Sequence, residues 1–189
     1  MKELLRKARS VRRFAQTPAM TADDMKEMAE ALRFTPSAGN LQRIRFALIT
    51  KKENRDAVFA GLKFAAYLKD WEGPKPDERP TSYLVLLTQN VPDTNLAIDV
   101  GIVSEAAVLY AAQKGFGTCI LANFDRKAVS EMIGTEGWQP VLVLAFGTPS
   151  ETVVSTDIAA GESIRYYRDE ADTHVVPKLR ADTLILREM

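Results

Sequence analysis

The chain has one cysteine, Cys119, and one histidine, His174. A lone thiol cannot close an internal disulfide and has no CxxC partner, so Cys119 reads as a core thiol in an apolar run; a catalytic thiol is the lesser alternative. One histidine is too few for a histidine-based metal site. With no GxSxG elbow it also limits triad readings, and its expected place is a strand surface. Net charge is missing too: 25 Lys and Arg balance 25 Asp and Glu, which argues against a nucleic-acid-binding protein, since such proteins carry a basic excess. There is no P-loop and no GxGxxG. Gly115-Phe116-Gly117 supplies half of that fingerprint and follows a helix where a strand is required. The charged first residues lack the apolar core of a signal peptide, and no apolar run is clean enough to span a membrane, so a cytoplasmic protein is expected. With 189 residues, a 46% apolar fraction, no repeat and no linker, residues 1–189 are expected to form one domain.

What is present centres on the stretch from Thr94 to Asn123. Its first part predicts a helix of about 21 residues, roughly 30 Å long. Asp93 or Thr94 caps its start, and Gly115 stands at the left-handed position past its end. Two apolar stripes, one through Leu96, Val100, Val103, Ala107, Tyr110 and Ala111 and one through Ile98, Ile102, Ala106 and Leu109, predict burial on nearly all sides. A helix this apolar in a chain this short needs a partner, and a second copy of itself is one candidate. Thr118–Leu121 then reads as a short buried strand.

Helices are also expected over Lys2–Ala8, Ala22–Phe34 (capped at Thr21), Asn54–Lys69, and from Asp125 through Ile133. Strands are expected over Ile44–Thr50, Tyr83–Leu87 and Gln139–Phe146, the last ended by Gly147. Trp71–Pro80 reads as a flexible loop and Thr148–Glu162 as another. Ile164–Arg168 alternates like a strand edge, and the tail beyond has little core of its own, so it is expected to lie across another surface. Helices and strands mix without a strict βαβ rhythm, which favours an α+β fold.

Three polar clusters lie far apart: Arg9-Ser10-Val11-Arg12, Pro36-Ser37-Ala38-Gly39-Asn40-Leu41-Gln42, and Lys178-Leu179-Arg180. Separately they read as a solvated helix end, a helix terminus with its turn, and a basic tail. Together, arginines, a lysine and a hydroxyl suit a phosphate dianion, with charge-assisted bonds of roughly 1.5–3 kcal/mol each. Asn40 and Gln42 carry both donors and acceptors, as reading a heterocycle edge or a polyol requires.

These segments resemble, in order and over nearly the whole length, the nitroreductase family of FMN-dependent oxidoreductases. Arg9-Ser10-Val11-Arg12-Arg13-Phe14 is similar to its opening Arg-Ser-x-Arg-x-Phe segment, and Pro36-Ser37-Ala38-Gly39-Asn40-Leu41-Gln42 to its Pro-Ser-x-x-Asn-x-Gln loop. Gly115-Phe116-Gly117-Thr118-Cys119-Ile120 resembles the segment after the long dimer helix, and Pro177-Lys178-Leu179-Arg180 the basic C-terminal anchor. The resemblance implies a mainly antiparallel sheet flanked by helices, in an intertwined homodimer with the long helix buried at its interface and the 150–189 tail wrapping the partner. It implies that Arg9, Ser10 and Arg12 hold the FMN phosphate, ribityl chain and pyrimidine edge. Lys178 and Arg180 would complete the phosphate site, and Pro36, Ser37, Asn40 and Gln42 would line the flavin from the opposite subunit. The backbone of Leu121, Ala122 and Asn123 would face the ring near N5. The implied activity is hydride transfer from NADH or NADPH, through the flavin, to an acceptor such as a nitroaromatic or quinone, with no catalytic side chain. Alternatives within the resemblance are a flavin-dependent dehydrogenase or dehalogenase and a non-catalytic flavin-binding dimer. The chain departs from the family where Ala8 replaces a common first arginine and where Arg43-Ile44 replaces Pro-Trp. Phe64–Pro80, where substrate-covering helices usually lie, is reduced.

Overall fold

A computed structural model describes residues 1–189. The most apolar strands form its centre. β3 (Ser82–Thr88) is buried at every position, and β5 (Gln139–Pro149) at most of them. They pair antiparallel, and each is covered on both faces, which is why their sequences run apolar without alternation. Each fully buried aliphatic side chain there contributes about 1.5–3 kcal/mol of transfer free energy. β2 (Arg45–Ile49) flanks β3, while β4 (Gly117–Leu121) and the short β1 (Phe14–Ala15) pair with β5, all antiparallel.

One face of the sheet offers Leu84, Leu86, Leu142, Leu144 and Phe146 to α2 (Ala22–Leu32) and α4 (Thr94–Gln113), after α1 (Lys2–Lys7) has opened the chain. The other face offers Tyr83, Val85, Leu87, Val143 and Ala145 toward Val58 of α3 (Lys52–Ala60) and Val129 of α5 (Arg126–Ile133). The caps are those expected. The Thr21 hydroxyl accepts from Asp24 N while Asp24 returns a bond to Thr21 N, the Asp93 carboxylate accepts from Leu96 N, and the Asp125 carboxylate accepts from Ala128 N. Gly115 closes α4 with φ +86°.

Three readings change. α3 stops at Ala60, short of the helix expected through Lys69, because Gly61 ends it and Phe64 beyond turns back to pack at a tilt on Phe59 and edge-on against Trp71. Thr148–Glu162 is not all loop: Val153–Ile158 forms β6, which pairs in parallel with β8 (His174–Leu179). β7 (Tyr167–Arg168) completes this second, three-stranded sheet. Finally, α4 is not enclosed within one chain. It is long and apolar enough to cross a membrane by length and composition, yet only 39% of its apolar window is buried. Ala97, Ile98 and Gly101 are exposed along one side.

The second glycine of Gly-Phe-Gly places the N-terminal segment. A Cβ on Gly117 would lie 2.8 Å from Val11 Cγ2, so only glycine lets that segment cross β4 this closely. Val11 N then donates to Thr118 O at 2.9 Å, and Ser10 bridges Thr118 in parallel. Arg9, Ser10 and Arg12 are thus fixed against β4 by backbone, before any side chain is considered.

Candidate functional site

A cavity of about 270 Å³ opens where the N-terminal segment, α4, β4 and β8 meet. Arg9, Ser10, Arg12 and Lys178 line it, joined by Glu105, Thr118, Ile120, Tyr166 and His174. Arg9, Ser10, Arg12 and Lys178, from opposite ends of the chain, thus share one cavity. Arg180 lies just past β8 and is exposed, its guanidinium 3.7 Å from Asp182. Leu121 turns its side chain into the core, whereas Ala122 and Asn123 follow β4 and are exposed.

Arg12 is buried, and its surroundings fix its direction. Nη1 lies 2.9 Å from His174 Nε2, and the guanidinium sits 4.6 Å from the centre of the Tyr166 ring. A guanidinium only donates, so Nε2 accepts, and the hydrogen-bond pattern assigns a neutral imidazole with its proton on Nδ1. His174 is fully buried, not a strand-surface residue. Burial, then the Arg12 charge, pushes its pKa down to about 4 from the ordinary 6.5. The folded state thus refuses a proton that the unfolded chain accepts between those values. Stability is full above about pH 6.5 and falls as pH drops toward 4, by about 3 kcal/mol at roughly 1.4 kcal/mol per pH unit. Denaturation midpoints at about pH 7 and about pH 4.5 will show this loss in the parent chain and much less of it in His174→Gln, which keeps an acceptor for Arg12 and does not titrate.

Glu151 holds the site from behind. Its side chain is 2% exposed. One oxygen accepts from the backbone N–H groups of Arg12 and Arg13, and the other pairs with Arg168. Arg13 and Arg168 both pair with Asp172, and both guanidiniums approach the Trp71 ring. The second sheet is therefore fastened to its own chain's N-terminal segment.

The loop at 36–42 goes elsewhere. Pro36, Ser37 and Gln42 line a separate cavity of about 230 Å³ with Arg43, Asp99 and Val103. Asn40 is exposed, and its side-chain oxygen lies 3.3 Å from Gln42 Nε2. Gly39, Asn40 and Gln42 all take positive φ, and the loop is pinned by Ala38 N donating to the buried Asp99 carboxylate at 2.9 Å. Asp99 and Val103 serve this cavity while Glu105 and Val108, further along the same helix, serve the basic one.

Sequence reasoning missed His174, Tyr166, Thr118 and Asp99. Asp99 had a signal, since a carboxylate inside an apolar helix must find a donor. Tyr166 lies in a run flanked by Arg165 and Arg168 that suggested only an edge strand.

Fold and site together describe an α+β protein with a basic cavity assembled from its two chain ends. A model of the nitroreductase family matches residues 5–148, and the chain belongs to that family. Among curated proteins it is 25% identical over 206 residues to "Putative NAD(P)H nitroreductase YdgI" of Bacillus subtilis (strain 168), covering 90% of this chain and 94% of that one. Among solved structures, the FMN-dependent nitroreductase of Clostridium difficile R20291 matches with TM-score 0.63 and 17% identity, over 80% of this chain and 88% of that one. The FMN and NADPH-dependent nitroreductase NfnB of Sphigopyxis sp. strain HMH matches with TM-score 0.62 and 18% identity, over 79% and 88%. These structural likenesses establish the nitroreductase-like fold.

Proposed function

We propose that the chain is an FMN-dependent NAD(P)H oxidoreductase acting as a cytoplasmic homodimer, with the flavin in the basic cavity. The observation that carries this reading is a set of buried polar atoms without partners. Arg9 Nε, Arg12 Nε, Thr118 Oγ1 and His174 Nδ1 all belong to residues lining that cavity. Leaving such groups unpaired costs about 1–3 kcal/mol each, so a cluster of four calls for a polar ligand.

Arg9, Ser10, Lys178 and Arg180 would hold the phosphate and ribityl chain, and Arg12 the pyrimidine edge. Bound FMN would supply hydride chemistry at N5, taking a hydride from NADH or NADPH and delivering it to an acceptor. The chain's own task is electrostatic and steric. Arg12, held between His174 and the Tyr166 ring, places a fixed positive charge where negative charge would develop, and it needs no reorganisation to do so. The backbone of Leu121–Asn123 would present an N–H toward N5. Tyr166 lines the cavity and packs at a tilt against Tyr67, ring centres 5.0 Å apart, an aromatic edge suited to flat acceptors such as nitroaromatics and quinones. The exposed side of α4 supports a dimer. Two copies packed there would carry Pro36, Ser37, Asn40 and Gln42 of one toward the basic cavity of the other, and the segment beyond residue 180, with Leu184, Ile185 and Leu186 exposed, would rest on the partner.

Purified protein is expected to be yellow, or to become so with added FMN, and to oxidise NADH or NADPH when a nitroaromatic or quinone is supplied. Protein that takes up no flavin contradicts the reading. Flavin uptake without turnover on any acceptor reduces it to flavin binding.

A further inference from the structure

Away from the basic cavity, and sharing no residue with it, a smaller cavity of about 190 Å³ lies between α3, the turn at Pro76–Glu78 and the start of β3. Lys52, Arg55 and Arg79 line it, with Asp56 as the one acid. That acid is taken: its carboxylate pairs with Lys52 Nζ at 2.5 Å. Arg55 and Arg79 form no ion pair. Arg55 donates one N–H to Thr81 O at 3.0 Å, and the Arg79 guanidinium carbon lies 4.0 Å from the centre of the Phe59 ring. The Nε atoms of both are buried without a partner.

Tyr83 forms part of the same wall, and its side chain is fully buried. Its hydroxyl has no hydrogen-bond partner. A buried hydroxyl left this way costs about 1–3 kcal/mol, whereas phenylalanine would fill the same space at no such cost. The surroundings are built, not loose. Gln16 Nε2 donates to Asp77 O at 3.1 Å and Arg79 O at 2.8 Å, and Pro76 and Pro80 stiffen the turn on either side. Every unsatisfied group here is a donor, and the charge balance is three cations to one acid.

We propose that this cavity is an anion site for inorganic phosphate or a phosphate monoester, held by Arg55, Arg79 and the Tyr83 hydroxyl with Lys52 at the rim. Two arginines unpaired with any carboxylate, a hydroxyl and a lysine at the edge match the charge and the oxygens of a phosphate group. The volume of about 190 Å³ is ample for a phosphate group. The electrostatics agree: Lys52 first, and the two arginines after it, lower the Asp56 pKa, and burial pushes that of Tyr83 well up, so the hydroxyl keeps its proton and can donate.

The test is calorimetric titration of the protein with inorganic phosphate against a chloride control of equal ionic strength, with and without saturating FMN. FMN occupies the other phosphate position, so the two sites are read apart, and the outcome does not depend on the flavin reading. Saturable binding that persists in FMN is expected. Tyr83→Phe and Arg79→Gln should each weaken it about tenfold or more, while Lys178→Gln leaves it unchanged. Without phosphate, Tyr83→Phe should melt at the same temperature as the parent chain or higher, which separates lost binding from lost folding. A rise in the KM for NADPH but not NADH in Arg79→Gln assigns the anion to a nucleotide phosphate monoester; phosphate binding with both constants unmoved assigns it to the free anion. No phosphate binding beyond the chloride control, or variants that bind like the parent chain, overturns the proposal.

Discussion

Glu151→Gln is expected to destabilise the chain by about 3–5 kcal/mol, the largest single loss from a change of this size. The carboxylate is almost wholly enclosed and serves three donors: two backbone N–H groups of the N-terminal segment and the Arg168 guanidinium, itself 13% exposed. An amide of the same shape accepts through one atom only. Its NH₂ must then face either the backbone donors or the guanidinium, leaving the largely buried Arg168 with only the exposed Asp172 carboxylate as counter-charge. Chemical denaturation measures the loss directly. Pairing the change with Arg168→Met, which removes the stranded charge, should recover part of it; two independent additive losses would show that the ions do not act as a pair. Because the same carboxylate positions the Arg12 backbone, Glu151→Gln should also weaken flavin binding.

Arg12→Ala is expected to weaken FMN binding on the order of a hundredfold, equivalent to about 2–3 kcal/mol. Two things are lost at once: the cation proposed for the pyrimidine edge, and the donor that holds neutral His174 in place. Arg12→Lys should fall between, since an ammonium keeps the charge but lacks the planar fork that meets both the imidazole and the Tyr166 face. Flavin fluorescence quenching on titration reads both. A variant that binds FMN as the parent chain does removes Arg12 from the site.

The sheet was legible because burial on both faces writes itself into sequence: Tyr83–Leu87 and Gln139–Phe146 carry no polar interruption. The N-terminal lining of the basic cavity was legible for a different reason. Arg9, Ser10 and Arg12 are placed by a glycine that admits the backbone, so a short motif suffices. His174 was illegible because its hydrogen-bond partner Arg12 is 162 positions away, and nothing local distinguishes a histidine in that setting from one on a strand face. β6 was hidden similarly. Its residues are mostly exposed, and its partner β8 is parallel and distant, so neither alternation nor a turn announces the pairing. The length of α3 was overread because Leu62, Ala65, Ala66 and Leu68 keep a helical spacing that the chain does not use. Ala65 takes a left-handed φ of 49°, and Phe64 packs its ring at a tilt on Phe59 and edge-on against Trp71.

The central claim is that one flavin is held by Arg12 of one chain and the Ser37–Asn40 loop of another. Co-expressing a chain bearing Arg12→Ala with a chain bearing Ser37→Ala and Asn40→Ala, and isolating the mixed dimer, places both lesions in one site and leaves the other intact. Flavin content measured by absorbance should then be close to one per mixed dimer, while each variant alone as a homodimer retains almost none. A mixed dimer as empty as its parents would put all of these residues in the same chain's site and contradict the account.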